Sequence, residues 1–175
     1  TISTVISLRP DRIALFSFAY LPEIRPNQKT LPAALLPSTE EKFLIYSTAR
    51  EALLRNGYRA IGLDHFALPE DPLSTCLLKG TLHRNFQGYT VSEGNEVIGL
   101  GMTGISDLRI GYFQKAKTLA DYSHAINEGR HAITKGILLS DDDQRRRWVI
   151  EQIMCQGRVC KADFFRLWDR PFDDF

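Results

Sequence analysis

Cysteine is scarce: the chain of 175 residues holds three, Cys76, Cys155 and Cys160. So small and odd a set builds no disulfide framework, and a reducing cytoplasm is the expected setting. Cys155 and Cys160 are spaced for neither a CxxC zinc knuckle nor an iron–sulfur loop, and unreactive thiols are the plain reading. The four histidines are scattered, so no metal site is expected. Long apolar runs are also missing. None approaches the roughly 20 residues that span a bilayer, so no membrane partner is expected. Nor is there an excess of one charge. Against 22 basic residues stand 21 acidic ones, which leaves no electrostatic reason for a nucleic-acid or membrane partner. The start, Thr1-Ile2-Ser3-Thr4-Val5, shows no basic segment followed by an apolar one, hence no visible signal peptide. Repeats and low-complexity tracts are absent.

What is present suits a soluble globular chain of one domain or parts of two, with 43% hydrophobic and 25% charged residues. Ile2, Val5, Ile6 and Leu8 recur at helical spacing with no cap before them, as in a segment cut from something longer. Arg12 to Tyr20 is a mostly apolar run that predicts a strand covered on both faces. Four prolines between residues 22 and 37 predict a long loop. Ser38-Thr39-Glu40-Glu41 is a capping box that opens a helix. Phe43, Tyr46, Ala49, Ala52 and Leu53 can share one face of it, and Gly57 ends it. Tyr58 to Leu63 is a second buried-strand candidate. The order helix, strand, helix, strand over residues 1–67 predicts an α/β arrangement with a parallel sheet. Ligands collect at the C-terminal ends of such strands, here Phe18 to Pro22 and Asp64 to Ala67.

Beyond Pro69 the pattern changes. A short helix is expected over residues 71–80, and loops with short strands over 83–106. An amphipathic helix is expected over 115–128, and a brief strand from Ile133 to Leu139. Ser140 caps a helix that begins Asp141-Asp142-Asp143 and breaks at Gly157. Ala162 to Trp168 starts another.

The densest chemical constellation is His83-Arg84-Asn85-Phe86-Gln87-Gly88-Tyr89-Thr90. It combines a proton carrier, a permanent cation, two amides, two stacking rings and a flexible glycine. A site for a flat anionic ligand, or for an adenine and a carboxylate, uses those residue types. A polar loop with satisfied side chains is the plainer alternative. Gly99, Gly101 and Gly104 have GxGxxG spacing, but no helix clearly opens there, and a tight strand with glycine bends competes. His65 after Asp64 reads equally as a structural histidine or as a proton carrier. Arg145-Arg146-Arg147, on the first of two successive helices, resembles part of a DNA-binding helix-turn-helix. Neutral net charge and the acidic neighbours favour a solvated face instead.

Several of these segments, in order, resemble one family. Pro10-Asp11-Arg12 leading to Ala19-Tyr20-Leu21-Pro22 is the first. Asn56-Gly57-Tyr58 followed by Ile61-Gly62-Leu63-Asp64-His65-Phe66-Ala67 is the second. His83 to Thr90, HRNFQGYT, is the most distinctive, and Gly99-Leu100-Gly101 with Ile105-Ser106 follows it. Together they resemble the oxygen-independent coproporphyrinogen III oxidases, radical S-adenosylmethionine enzymes of haem synthesis. The likeness covers residues 1 to about 110 and is looser beyond.

The resemblance implies an α/β fold: the last strands and helices of a partial (β/α) barrel over residues 1–70, then a mostly helical C-terminal domain over 71–175, incomplete at its end. It implies a reaction, oxidative decarboxylation of two propionates of coproporphyrinogen III to give protoporphyrinogen IX, using S-adenosylmethionine and a [4Fe-4S] cluster. By the same resemblance Ala19 would contact the cluster-bound S-adenosylmethionine, and Phe86, Gln87 and Ile105 a second one. His83 and Arg84 are the candidate holders of a substrate carboxylate. The family's CxxxCxxC cluster loop does not occur here, so this chain alone is expected to be inactive. The full-length enzyme is expected to be a monomer, while the chain alone could self-associate through an exposed barrel edge. The rival reading is a non-catalytic module that binds a porphyrin or a partner through the same loops.

Overall fold

The computed structural model describes residues 1–91 and 96–175. Two compact units divide it, Thr1–Lys79 and Gly80–Phe175.

The first unit contains α1 (Ile2–Leu8), β1 (Arg12–Ala14), α2 (Thr39–Arg55), β2 (Arg59–Ile61), β3 (His65–Ala67) and α3 (Pro72–Lys79). Helix α2 starts where the sequence predicts. Ser38 Oγ accepts the Glu41 amide, and the Glu41 carboxylate accepts the Ser38 amide. Its buried side chains are Ala49 and Leu53, whereas Phe43 is exposed. The expected apolar face is therefore covered only in its second half. The strands correct the parallel-sheet expectation. Their order is β1-β3-β2, and β3 pairs antiparallel with both neighbours. The segment His65 to Ala67 is thus the central strand rather than a loop at a strand end. The run to Tyr20 is a strand only as far as Ala14, and Pro26–Thr30 and Ala33–Leu35 form 3-10 turns in the proline-rich loop. Leu53, Tyr58, Phe66 and Leu68 make the core, with Ile2, Ile6, Ile13 and Leu15 against it. Each fully buried side chain of this size contributes roughly 1.5–3 kcal/mol. Asp71 is nearly buried; it accepts Arg12 Nε at 2.6 Å and the Leu73 amide at 2.7 Å, tying β1 to the start of α3.

The second unit contains β4 (His83–Asn85), β5 (Gly88–Thr90), β6 (Ile105–Leu108), β7 (Gly111–Lys115), α4 (Leu119–Asn127), β8 (Ile133–Leu138), α5 (Asp141–Gln156) and α6 (Lys161–Trp168). Short strands do occur within 83–106; the part of that expectation at residues 92–95 lies outside the described residues. Strands β4 and β5 form a hairpin, and β6-β7-β8 an antiparallel meander. Helix α4 begins at Leu119 rather than near 115, because β7 claims the chain as far as Lys115. Gly111 is required by close approach: a Cβ there would lie 2.1 Å from the Ile137 carbonyl oxygen. Ser140 caps α5 with Asp143 as its reciprocal partner, and Gly157 ends that helix at φ 68°. Phe164 on α6 is fully buried among Trp148, Trp168, Phe172 and Phe175, with ring centroids 4.7–5.9 Å away. Among the described residues no helix is long and apolar enough to cross a membrane.

Candidate functional site

The HRNFQGYT segment folds as the β4–β5 hairpin, because its chemistry is that of a tight turn. Phe86 and Gln87 form the tip, and Asn85 Oδ1 accepts the Gln87 amide at 2.8 Å. Gly88 takes φ 139° on the return strand. Arg84 faces Tyr89 across the pair, and its guanidinium carbon lies 5.6 Å from the Tyr89 ring centre. Tyr89 is buried and donates to the Met154 carbonyl of α5 at 3.1 Å, which fixes the hairpin on that helix. His83 Nδ1 lies 3.0 Å from Glu151 Oε1, a second tie to α5.

Hairpin, helix α5 and the β6–β7 meander enclose a groove of roughly 890 Å³. That volume lies within the ~300–1,000 Å³ usual for small-molecule sites. Its lining includes His83, Arg84 and Phe86 from the hairpin, and Asp107, Tyr112, Arg147 and Glu151 from the meander and α5. Most of its charges are already committed. Arg147 Nη2 lies 2.7 Å from Asp107 Oδ1, and the Arg147 guanidinium lies over the Tyr112 ring at 5.3 Å. Burial pushes the Tyr112 phenol above its ordinary range against the pull of Arg147, so it stays a neutral hydrogen-bonding group. Arg84 differs. Its Nε–H is buried and has no hydrogen-bond partner among the described residues. An unpaired buried guanidinium nitrogen is costly unless something accepts from it, and a carboxylate is its natural acceptor.

The structure gathers some of the expected residues and separates others. His83, Arg84 and Phe86 share the groove. The first two have different neighbours: His83 meets Glu151, and Arg84 lies over Tyr89. Gln87 sits at the exposed tip. Ile105 opens β6, with its backbone so close to Gly99 that a side chain there would meet it at 2.6 Å. That approach explains the glycine-rich segment as a bend, and no helix opens from it. Ala19 belongs to the first unit, where its carbonyl accepts from Gln28 at 3.1 Å. The sequence does not mark Asp107, Tyr112 and Glu151 as site residues, and Arg147 stands out in it only as part of the arginine triplet. Arg147 and Glu151 stand four apart on α5, a spacing that puts both on one helix face.

Cys155 is a poor metal ligand. Burial, and then the Glu151 carboxylate, push the Cys155 thiol up to about 11 despite the pull of Arg84. Cys160 is exposed, and Cys76 lies in the other unit. No group of three or more His, Cys, Asp or Glu side chains that could hold a metal occurs among the described residues.

No protein-family model matches the chain. Curated proteins do match it. A Synechocystis protein named oxygen-independent coproporphyrinogen III oxidase is 42% identical over 173 residues, covering 99% of this chain and 37% of the relative. One of that name from Escherichia coli is 38% identical over 175 residues, covering 100% and 38%. Another, from Thermostichus vulcanus, is 40% identical over 176 residues, covering 100% and 54%. A solved structure described as the coproporphyrinogen III oxidase of Escherichia coli, a radical SAM enzyme, superposes with a TM-score of 0.95 at 38% identity, covering 99% of this chain and 40% of that one. The chain therefore spans 37–54% of the length of these curated relatives.

Proposed function

The chain belongs to the oxygen-independent coproporphyrinogen III oxidase family, and from that premise we propose that it supplies a substrate-holding wall of such an enzyme. The whole protein would oxidatively decarboxylate two propionates of coproporphyrinogen III to vinyl groups, giving protoporphyrinogen IX. One observation carries the assignment of the groove: Arg84 lines a cavity of small-molecule size, and its Nε–H has no hydrogen-bond partner among the described residues. The proposed substrate brings four carboxylates, and Arg84 anchors one of them. His83 meets another polar group of the same ligand.

The two cofactors of the family fit this chain differently. The iron–sulfur cluster does not fit, since its ligands must be thiolates and Cys155 is a buried, protonated thiol. We place the cluster on a part of the whole protein outside this chain, and the chain alone is inactive on this reading. S-adenosylmethionine fits better. Phe86 and Gln87 are exposed at the hairpin tip, a ring to stack on and an amide to hydrogen-bond an adenosyl group. With Ile105 they would contact one such molecule, and Ala19 would contact another. S-adenosylmethionine held by these residues would supply radical chemistry for removing hydrogen from a propionate.

The proposed setting is the cytoplasm, with no nucleic-acid partner; the three free thiols and balanced charge support it. The whole protein is read as a monomer. The isolated chain, with Phe43, Leu44 and Ile45 exposed on α2, is prone to self-associate.

The test is Arg84→Ala in the full-length enzyme. Loss of a charge-assisted hydrogen bond costs about 1.5–3 kcal/mol, so substrate affinity should fall roughly tenfold to a hundredfold. Unchanged affinity would remove Arg84 from the site.

A further inference from the structure

Among the described residues, Glu151 is the one carboxylate lining the groove that touches a candidate ligand-binding side chain. Its Oε1 lies 3.0 Å from His83 Nδ1, and both side chains are about one-third exposed. The two come from separate elements, β4 and α5. We infer that Glu151 is a positioning residue: it accepts the Nδ1–H of His83, fixes the ring, and leaves Nε2 as the nitrogen available to the groove. The inference rests on the reading of that groove as the substrate site.

The chemistry follows from the imidazole. A histidine has two ring nitrogens, and the partner of one decides what the other offers. Without an acceptor at Nδ1 the ring can rotate or change tautomer, and the groove then meets an ill-defined face. With the Glu151 carboxylate there, Nδ1 keeps its hydrogen. Nε2 is then held at a fixed position and angle towards a polar group of the ligand. The arrangement is isolated enough to act alone. Arg147, one helical turn before Glu151, is engaged by Asp107, and Met154, on the following turn, gives its carbonyl to Tyr89. Nothing else on α5 is bonded to the ring.

The experiment uses the full-length enzyme and coproporphyrinogen III. Glu151→Ala should raise KM roughly fivefold to tenfold, with kcat changed by less than about twofold, as for loss of a binding contact. His83→Ala should do the same, and the double variant should be no worse than either single one. Glu151→Gln, whose Oε1 still accepts from Nδ1–H, should recover most of the affinity. Nitrogen NMR of histidine-labelled protein should show Nδ1 of His83 protonated in the wild type, with the preference lost in Glu151→Ala. Additive single effects, or an unaltered His83 tautomer in Glu151→Ala, would overturn the positioning role. If His83→Ala leaves KM unchanged while the NMR signal still follows Glu151, positioning stands and the substrate reading fails at His83.

Discussion

Ionising Cys155 separates a structural thiol from a ligand thiol. Its side chain is 2% exposed, and burial followed by the Glu151 carboxylate push its pKa from 9.0 to about 11. At pH 8 an unperturbed thiol is then about one-tenth ionised, and Cys155 about one-thousandth. Alkylation proceeds through the thiolate, so Cys155 should react about a hundredfold more slowly than an unperturbed thiol, before its inaccessibility is counted. The same shift has a thermodynamic sign. The folded pKa lies above the unfolded one, so the thiol's contribution is complete below pH 9 and is lost as pH rises towards 11. The loss amounts to about 2–3 kcal/mol across that window. The assay is mass spectrometry of peptides after timed iodoacetamide treatment at pH 8, native and denatured. Labelling of native Cys155 within tenfold of the Cys160 rate would refute the buried, protonated thiol. Cys155→Ala should flatten the alkaline decline in stability between pH 9 and 11; an equally steep decline would refute the assigned cause.

Phe164→Ala empties the centre of the aromatic cluster, which has Trp148, Trp168, Phe172 and Phe175 around it. It should cost about 3–5 kcal/mol, read from denaturant midpoints, and should weaken ligand binding because Trp148 and Trp168 line the groove. Asp71→Ala removes both the partner of Arg12 and the acceptor of the Leu73 amide. Arg12 is partly solvated, which discounts the ion pair, and a loss of about 2 kcal/mol is expected. Hydrogen exchange of the α3 amides should report it locally.

Local chemistry was legible where it acts over a few residues. Ser38 with Glu41, the Ser140 cap and Gly157 set helix ends through contacts at most four residues long and are legible in the sequence, whereas the reciprocal bond from Asp143 to Ser140 is added by the structure. The central strand was not. His65 to Ala67 is too short for a two-residue period to declare itself, and its partner Arg12 is 55 positions from Ala67. The hairpin residues of the groove stood out because unusual residue types crowd together there. The opposite wall did not, because Asp107, Tyr112, Arg147 and Glu151 meet only after the meander and α5 pack. The arginine triplet read as a solvated face, yet Arg145 and Arg147 keep only 18% and 31% of their side chains exposed. Charge pattern alone does not distinguish an arginine committed to Asp107 from one in water.

The central claim is that the groove reads carboxylates through Arg84. The direct measurement compares coproporphyrin III with its tetramethyl ester as ligands of the full-length protein, in the wild type and in Arg84→Ala. The wild type should bind the free acid roughly tenfold to a hundredfold more tightly than the ester, and Arg84→Ala should lose most of that preference. Equal binding of acid and ester by the wild type, or an undiminished preference in Arg84→Ala, would contradict the account.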